Sequence, residues 1–67
     1  GLSLNRADVV RAMRRHMLDN PGVTQASIAN RTTYSQSTVS LWMSGTYRGD
    51  VDAVTAAVVL VLAALGG

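Results

Sequence analysis

From Thr24 to Gly45 the apolar residues fall on two short helical registers with a polar turn between them, and few folds accept that spacing. Counting from Gln25, the fifth residue is Ala29, where two crossing helices approach too closely for a side chain larger than a methyl. Ile28, Tyr34, Val39 and Trp42 take the fourth, tenth, fifteenth and eighteenth positions. These places face inward together if one helix covers about 25–31 and another begins at 36 and ends at 43 or 44. Thr24 is placed to cap the first, with Val23 and Ile28 as a hydrophobic staple around it, and Ser35 is placed to cap the second. Behind that cap Gln36, Ser37, Thr38 and Ser40 are polar and outward-facing, and no charged residue occurs from 35 to 44.

The same periodicity predicts two flanking helices. One runs from about Arg6 to Leu18, capped by Asn5, with Asp8 well placed for the helix dipole. Its apolar stripe is Ala7, Val10, Met13 and Met17, with Val9 and Leu18 beside it, and its polar side carries Arg11, Arg14, Arg15 and His16. It stops at Asp19-Asn20-Pro21-Gly22, because Asn20 is disfavoured as helix before a proline and the Pro-Gly pair suits a type II turn. The other runs from about Val51 to Leu65 with Asp50 as cap, turning Val51, Val54, Val58, Leu62 and Leu65 toward the core. The expected fold class is therefore all-α, with four helices in one domain spanning 1–67.

At 67 residues a single core is only just sufficient, and without Cys no disulfide can reinforce it. The absence of Cys also fits a cytoplasmic protein. All six basic residues are Arg and all four acidic ones Asp; the net charge of +2 permits nucleic-acid binding without requiring it, since the placement of a few arginines matters more than their sum. Arg6, Asp8, Arg11, Arg14 and Arg15 interrupt the first 20 residues, so no signal peptide is read there. Ala53–Leu65 is apolar except for Thr55, but its 13 residues would span only ~20 Å as a helix, short of a roughly 30 Å hydrocarbon core. No membrane span is expected. Val59, Leu60 and Val61 leave the second half of this helix almost without a polar face, and four helices around a small core cannot cover it on every side. Self-association or docking of a partner through Val59, Leu60 and Ala63 is the expected consequence. Gly1 in place of Met and the terminal Gly66-Gly67 read as a domain excised from a longer chain.

The stretch QASIANRTTYSQSTVSLWMSG, from Gln25 to Gly45, resembles the helix-turn-helix of the lambda-repressor and Cro group over 21 residues without a gap. That resemblance implies a lambda-repressor-like fold in which residues 36–44 are the recognition helix, entering the major groove of duplex DNA. Two positions depart from the group. Thr33 stands where Gly is usual, so either the turn is made differently or a non-glycine residue takes an unfavourable backbone angle; Thr32 occupies a normally apolar place. Gly45-Thr46-Tyr47-Arg48-Gly49-Asp50-Val51 is similar to the N-terminal domain of phage Mu B transposition proteins, ATP-dependent binders of target DNA in which a Tyr-x-Gly-Asp segment takes this place. With Gln25, Ala29, Ser35, Val39, Ser40 and Trp42, this similarity runs from about 23 to 62, although the last helix is more apolar than that family leads one to expect. The family's ATPase domain lies further along the chain, and residues 1–67 hold no phosphate loop. The similarity thus implies an accessory DNA-binding domain of phage or bacterial origin, with no cofactor.

Within that frame Gln36 and Ser37 open the recognition helix, where Gln bonds bidentately to adenine and Ser to several bases. Ser35 and Thr38 lie at its start and Ser40 and Ser44 further along, and Leu41 is placed for a thymine methyl. Gln25 resembles the group's phosphate-contacting residue at the start of the preceding helix. Arg31 and Arg48 flank the recognition helix in sequence and are the candidates for phosphate neutralisation. No Arg is poised to grip guanine, so sequence discrimination is expected to be weak. His16 is the only His, and with no Cys or Glu a metal set lacks ligands. Asp50 and Asp52 sit where a helix start favours Asp. No general base accompanies the serines, so the chain is not read as an enzyme. Trp42, Tyr34 and Tyr47 lie in separate elements and do not make a base-stacking strip. Two alternatives remain open: a stand-alone phage or bacterial repressor, and a helix-turn-helix fold reused as a protein-interaction module.

Overall fold

The computed structural model describes residues 5–66, which form four α-helices and no strand. They are α1 (Arg6–Asp19), α2 (Gln25–Asn30), α3 (Gln36–Ser44) and α4 (Val51–Gly66). Each start is made by the side chain ahead of it, which accepts a hydrogen bond from an otherwise orphaned amide. Asn5 Oδ1 accepts from Asp8 N at 2.9 Å, Ser35 Oγ from Thr38 N at 3.2 Å and Asp50 Oδ1 from Ala53 N at 3.1 Å. The six-residue α2 is too short to persist unaided and has a reciprocal cap. Ser27 N donates to Thr24 Oγ1 at 3.1 Å while Thr24 N donates to Ser27 Oγ at 2.9 Å. Ser27 fills the role more often given to Glu or Gln, which is why the sequence pattern alone does not signal it.

The first turn corrects the sequence-based expectation, and the second takes one of the two forms expected for it. At Pro21-Gly22 the turn is closed by Val23 N donating to Asn20 O at 2.8 Å, yet Gly22 does not take a positive φ, as a type II turn requires. Pro21 suits the second position of a turn without a left-handed residue equally well. Between α2 and α3, Thr33 carries no strain, since no non-glycine residue described has a positive φ. Thr32 makes this turn instead: its hydroxyl donates to Ala29 O at 2.7 Å and accepts from Tyr34 N at 3.0 Å. A polar residue at a usually apolar place thus does what the missing glycine would have done.

The shortest dimension, 18 Å, admits two helical layers and no more. Between them lie Val9, Val10 and Met13 of α1, Ile28 and Ala29 of α2, Val39 and Trp42 of α3, and Val54, Val58 and Val61 of α4. Ala7 is exposed and Leu18 is 82% exposed, so the α1 stripe is narrower than its periodicity suggested. In α4 the inward series is 54, 58 and 61 rather than 54, 58 and 62, which buries Val61 and leaves Leu62 half-buried with Val51 and Leu65. One polar residue lies in the same core. Thr55 is buried because its hydroxyl accepts from the Trp42 indole Nε1 at 2.9 Å and donates to Val51 O at 2.8 Å. It satisfies the indole N–H, which would otherwise lack a partner.

The far end of α3 is closed by Gly45, whose φ of 82° is the left-handed value that glycine takes without a Cβ penalty. Arg6, the first residue of α1, reaches the same place. Its Nη1 donates to Trp42 O at 3.2 Å and to Met43 O at 3.0 Å, setting a cation on the negative end of the α3 dipole. In the following loop the Tyr47 ring folds over Gly49 so closely that a Cβ there would overlap the phenol. Asp50, next in sequence, caps α4. The Tyr-x-Gly-Asp segment is therefore a compact link that ties the end of α3 to the start of α4.

Candidate functional site

Most hydroxyl and amide side chains of this chain are occupied in its own caps and turns. Thr24 and Ser27 bond each other's backbone amides, and Thr32 holds the α2–α3 turn. The Ser35 and Thr38 hydroxyls meet at 3.1 Å, and Ser44 Oγ donates to Leu41 O at 3.0 Å beside the Thr46 hydroxyl at 2.8 Å. Among the described Ser, Thr, Asn and Gln residues, the side chains with no hydrogen bond inside the chain are Gln25, Asn30, Thr33, Gln36, Ser37 and Ser40. Four of these six, Gln25, Gln36, Ser37 and Ser40, line a single open groove of about 460 Å³ with Leu41.

This grouping has a structural cause. Val39 and Trp42 turn one side of α3 into the core, which leaves Gln36, Ser37, Ser40 and Leu41 outward on the other side. The Thr24–Ser27 cap places Gln25 at the start of α2 beside them. Leu41 is 46% exposed, the one large apolar surface in an otherwise polar lining. No charged side chain lines the groove, so its electrostatics come from amide and hydroxyl dipoles and from the positive start of α3. The lining offers donors, acceptors and one apolar contact, but no proton donor or acceptor with a useful titration range.

The other sequence candidates are placed elsewhere or engaged locally. Ser35 and Thr38 form the α3 cap, and Ser44 belongs to its far end. Arg31 lies at the end of α2 and lines a second open groove of about 470 Å³ with Thr32, Thr33 and the α4 residues Ala57, Leu60, Val61 and Ala64. Arg48 is exposed in the loop before α4 and makes no ion pair. On α1, Arg11, Arg14 and Arg15 are exposed; Arg15 approaches Asp19 at 3.9 Å across one helical turn, a surface pairing of little consequence for stability. Of the α4 residues expected to meet a partner, Leu60 is 72% exposed and Ala63 is exposed, whereas Val59 packs partly against the core. No helix among the described residues is long and apolar enough to cross a membrane.

Two residues that matter to this arrangement had no sequence signal. Arg6 carries no local signal, since its partners lie 36 and 37 residues away. Thr55 reads as an interruption of an apolar run until Trp42 is seen above it. The chain matches no protein-family model, no curated protein and no solved structure.

Proposed function

We propose that this domain binds duplex DNA by laying α3 in the major groove in the manner of the lambda-repressor group, with Gln36, Ser37, Ser40 and Leu41 toward the base edges and Gln25 toward a phosphate. The observation that carries this is the gathering of hydrogen-bonding side chains without partners on one face of a nine-residue helix, with a bare leucine among them. Such groups remain solvated at little cost, and they match base edges, which present donors, acceptors and thymine methyls. A neutral lining gives little grip on phosphates, so affinity is modest, and with no Arg placed against guanine discrimination is weak. The similarity of the Tyr47–Asp50 segment to that family is what carries the narrower proposal of an accessory DNA-binding domain in a transposition protein of the Mu B kind.

DNA binding of this type releases counterions, so affinity falls as salt rises, by about 0.9 log units per log unit of salt for each phosphate neutralised. Arg48→Ala is expected to weaken binding to all duplexes alike and to reduce that slope by about one unit, whereas Gln36→Ala changes the ranking of sequences. Fluorescence anisotropy at several salt concentrations measures both. Binding indifferent to both substitutions would remove α3 and its loop from the interface.

The exposed Leu60 favours a second role, contact with another protein or a second copy through α4. Light scattering at high protein concentration tests self-association: the expected mass exceeds that of a monomer and returns to it in Leu60→Asp. A monomer throughout would exclude it.

A further inference from the structure

Among the described arginines, Arg6 alone is partly buried, and its guanidinium ends on the α3 carbonyls rather than in solvent. We propose that Arg6 is a positioning residue for the groove of Gln25, Gln36, Ser37, Ser40 and Leu41: it sets the tilt of α3 without touching DNA. The proposal rests on the DNA-binding role put forward above.

The core holds α3 through Val39 and Trp42, with Met43 packed partly against it, all within about 6 Å along the axis. Anchors so close together locate the middle of a helix better than they fix its tilt. Ser35 fixes the start locally, within its own chain segment. Toward the far end the Trp42 indole is bonded to Thr55 of α4, and Arg6 adds the tie to α1, through two bonds from one nitrogen to the Trp42 and Met43 carbonyls. The guanidinium lies beside Gly45, where a Cβ would stand 3.4 Å from Arg6 Nη2, an ordinary contact.

Gln25 belongs to α2 and the other four groove residues to α3, so a change in α3 tilt alters the spacing across the groove. Contacts to base edges depend on placement within about 0.5 Å, and such a change is felt as affinity. Lysine restores the charge but not the planar fork that lies against Gly45.

The test compares the 67-residue chain with its Arg6→Met and Arg6→Lys variants. Thermal midpoint, duplex affinity across a salt series and backbone amide shifts of the free proteins are measured for each. Arg6→Met is expected to bind duplex about ten-fold more weakly at an unchanged salt slope, with Arg6→Lys between it and the parent. In the free variants the amides of 36–41 should shift. A slope shallower by about one unit would instead mean a direct phosphate contact, and unchanged affinity at a lowered midpoint a purely structural role; either overturns the proposal. If Arg6→Met does not fold, Arg6→Lys carries the comparison. If the parent chain binds no duplex, the DNA-binding role fails by itself, and positioning is then overturned only if the free-protein amides of 36–41 stay in place.

Discussion

Trp42→Ala does not give a folded domain. The indole is fully buried where α1, α3 and α4 meet, and its removal takes away the largest side chain of the core. Large aromatic truncations cost about 3–5 kcal/mol, and a core of this size supplies little more than that in total. The loss also leaves the buried Thr55 hydroxyl without its indole donor. Circular dichroism of Trp42→Ala should show no cooperative thermal transition. Thr55→Val separates the two contributions, because it keeps the shape of the core and removes only the hydroxyl. It should cost about 1–3 kcal/mol, the penalty for an indole N–H left buried without an acceptor, and should retain a cooperative transition at a lower midpoint. An unchanged midpoint in Thr55→Val would mean that the Trp42–Thr55 bond contributes nothing.

Ser40→Glu abolishes DNA binding while leaving the fold intact. Ser40 is exposed, makes no hydrogen bond inside the chain and sits in the middle of α3, where Glu is a better helix former than Ser. The carboxylate would stand in a groove with no charged residue to pair with it, facing the phosphates of a bound duplex. Like charges brought together in an interface cost several kcal/mol, which corresponds to a loss of affinity of about 100-fold or more. Ala63→Glu adds the same charge on the exposed face of α4 and serves as the control for net charge. It should weaken binding only slightly. Equal losses in the two variants would show that total charge, and not the α3 groove, governs the interaction.

The helices were legible in the sequence because their signals are local. Asn5, Thr24, Ser35 and Asp50 cap the helices they precede, and each bonds an amide three residues on. The grouping of Gln36, Ser37 and Ser40 on one face follows likewise from helical periodicity once Val39 and Trp42 point inward. What the sequence did not disclose depends on contacts between distant segments or on which of several local solutions wins. Arg6 meets a helix end 36 residues away, and Thr55 is buried only because Trp42 lies across from it. Pro21-Gly22 is compatible with two turn types, and the chain takes the one without a positive φ. Arg31 is near α3 in sequence, yet the turn directs it to the α4 side, next to Leu60.

The backbone amide shift map of the domain, recorded while duplex DNA is added, tests DNA binding through the α3 groove most directly. The expected result is movement at Gln25, across residues 35–48 and most strongly at 36–41, diminishing as salt is raised. An unchanged map in that region, or movement confined to α4 around Leu60 and Ala63, would contradict it.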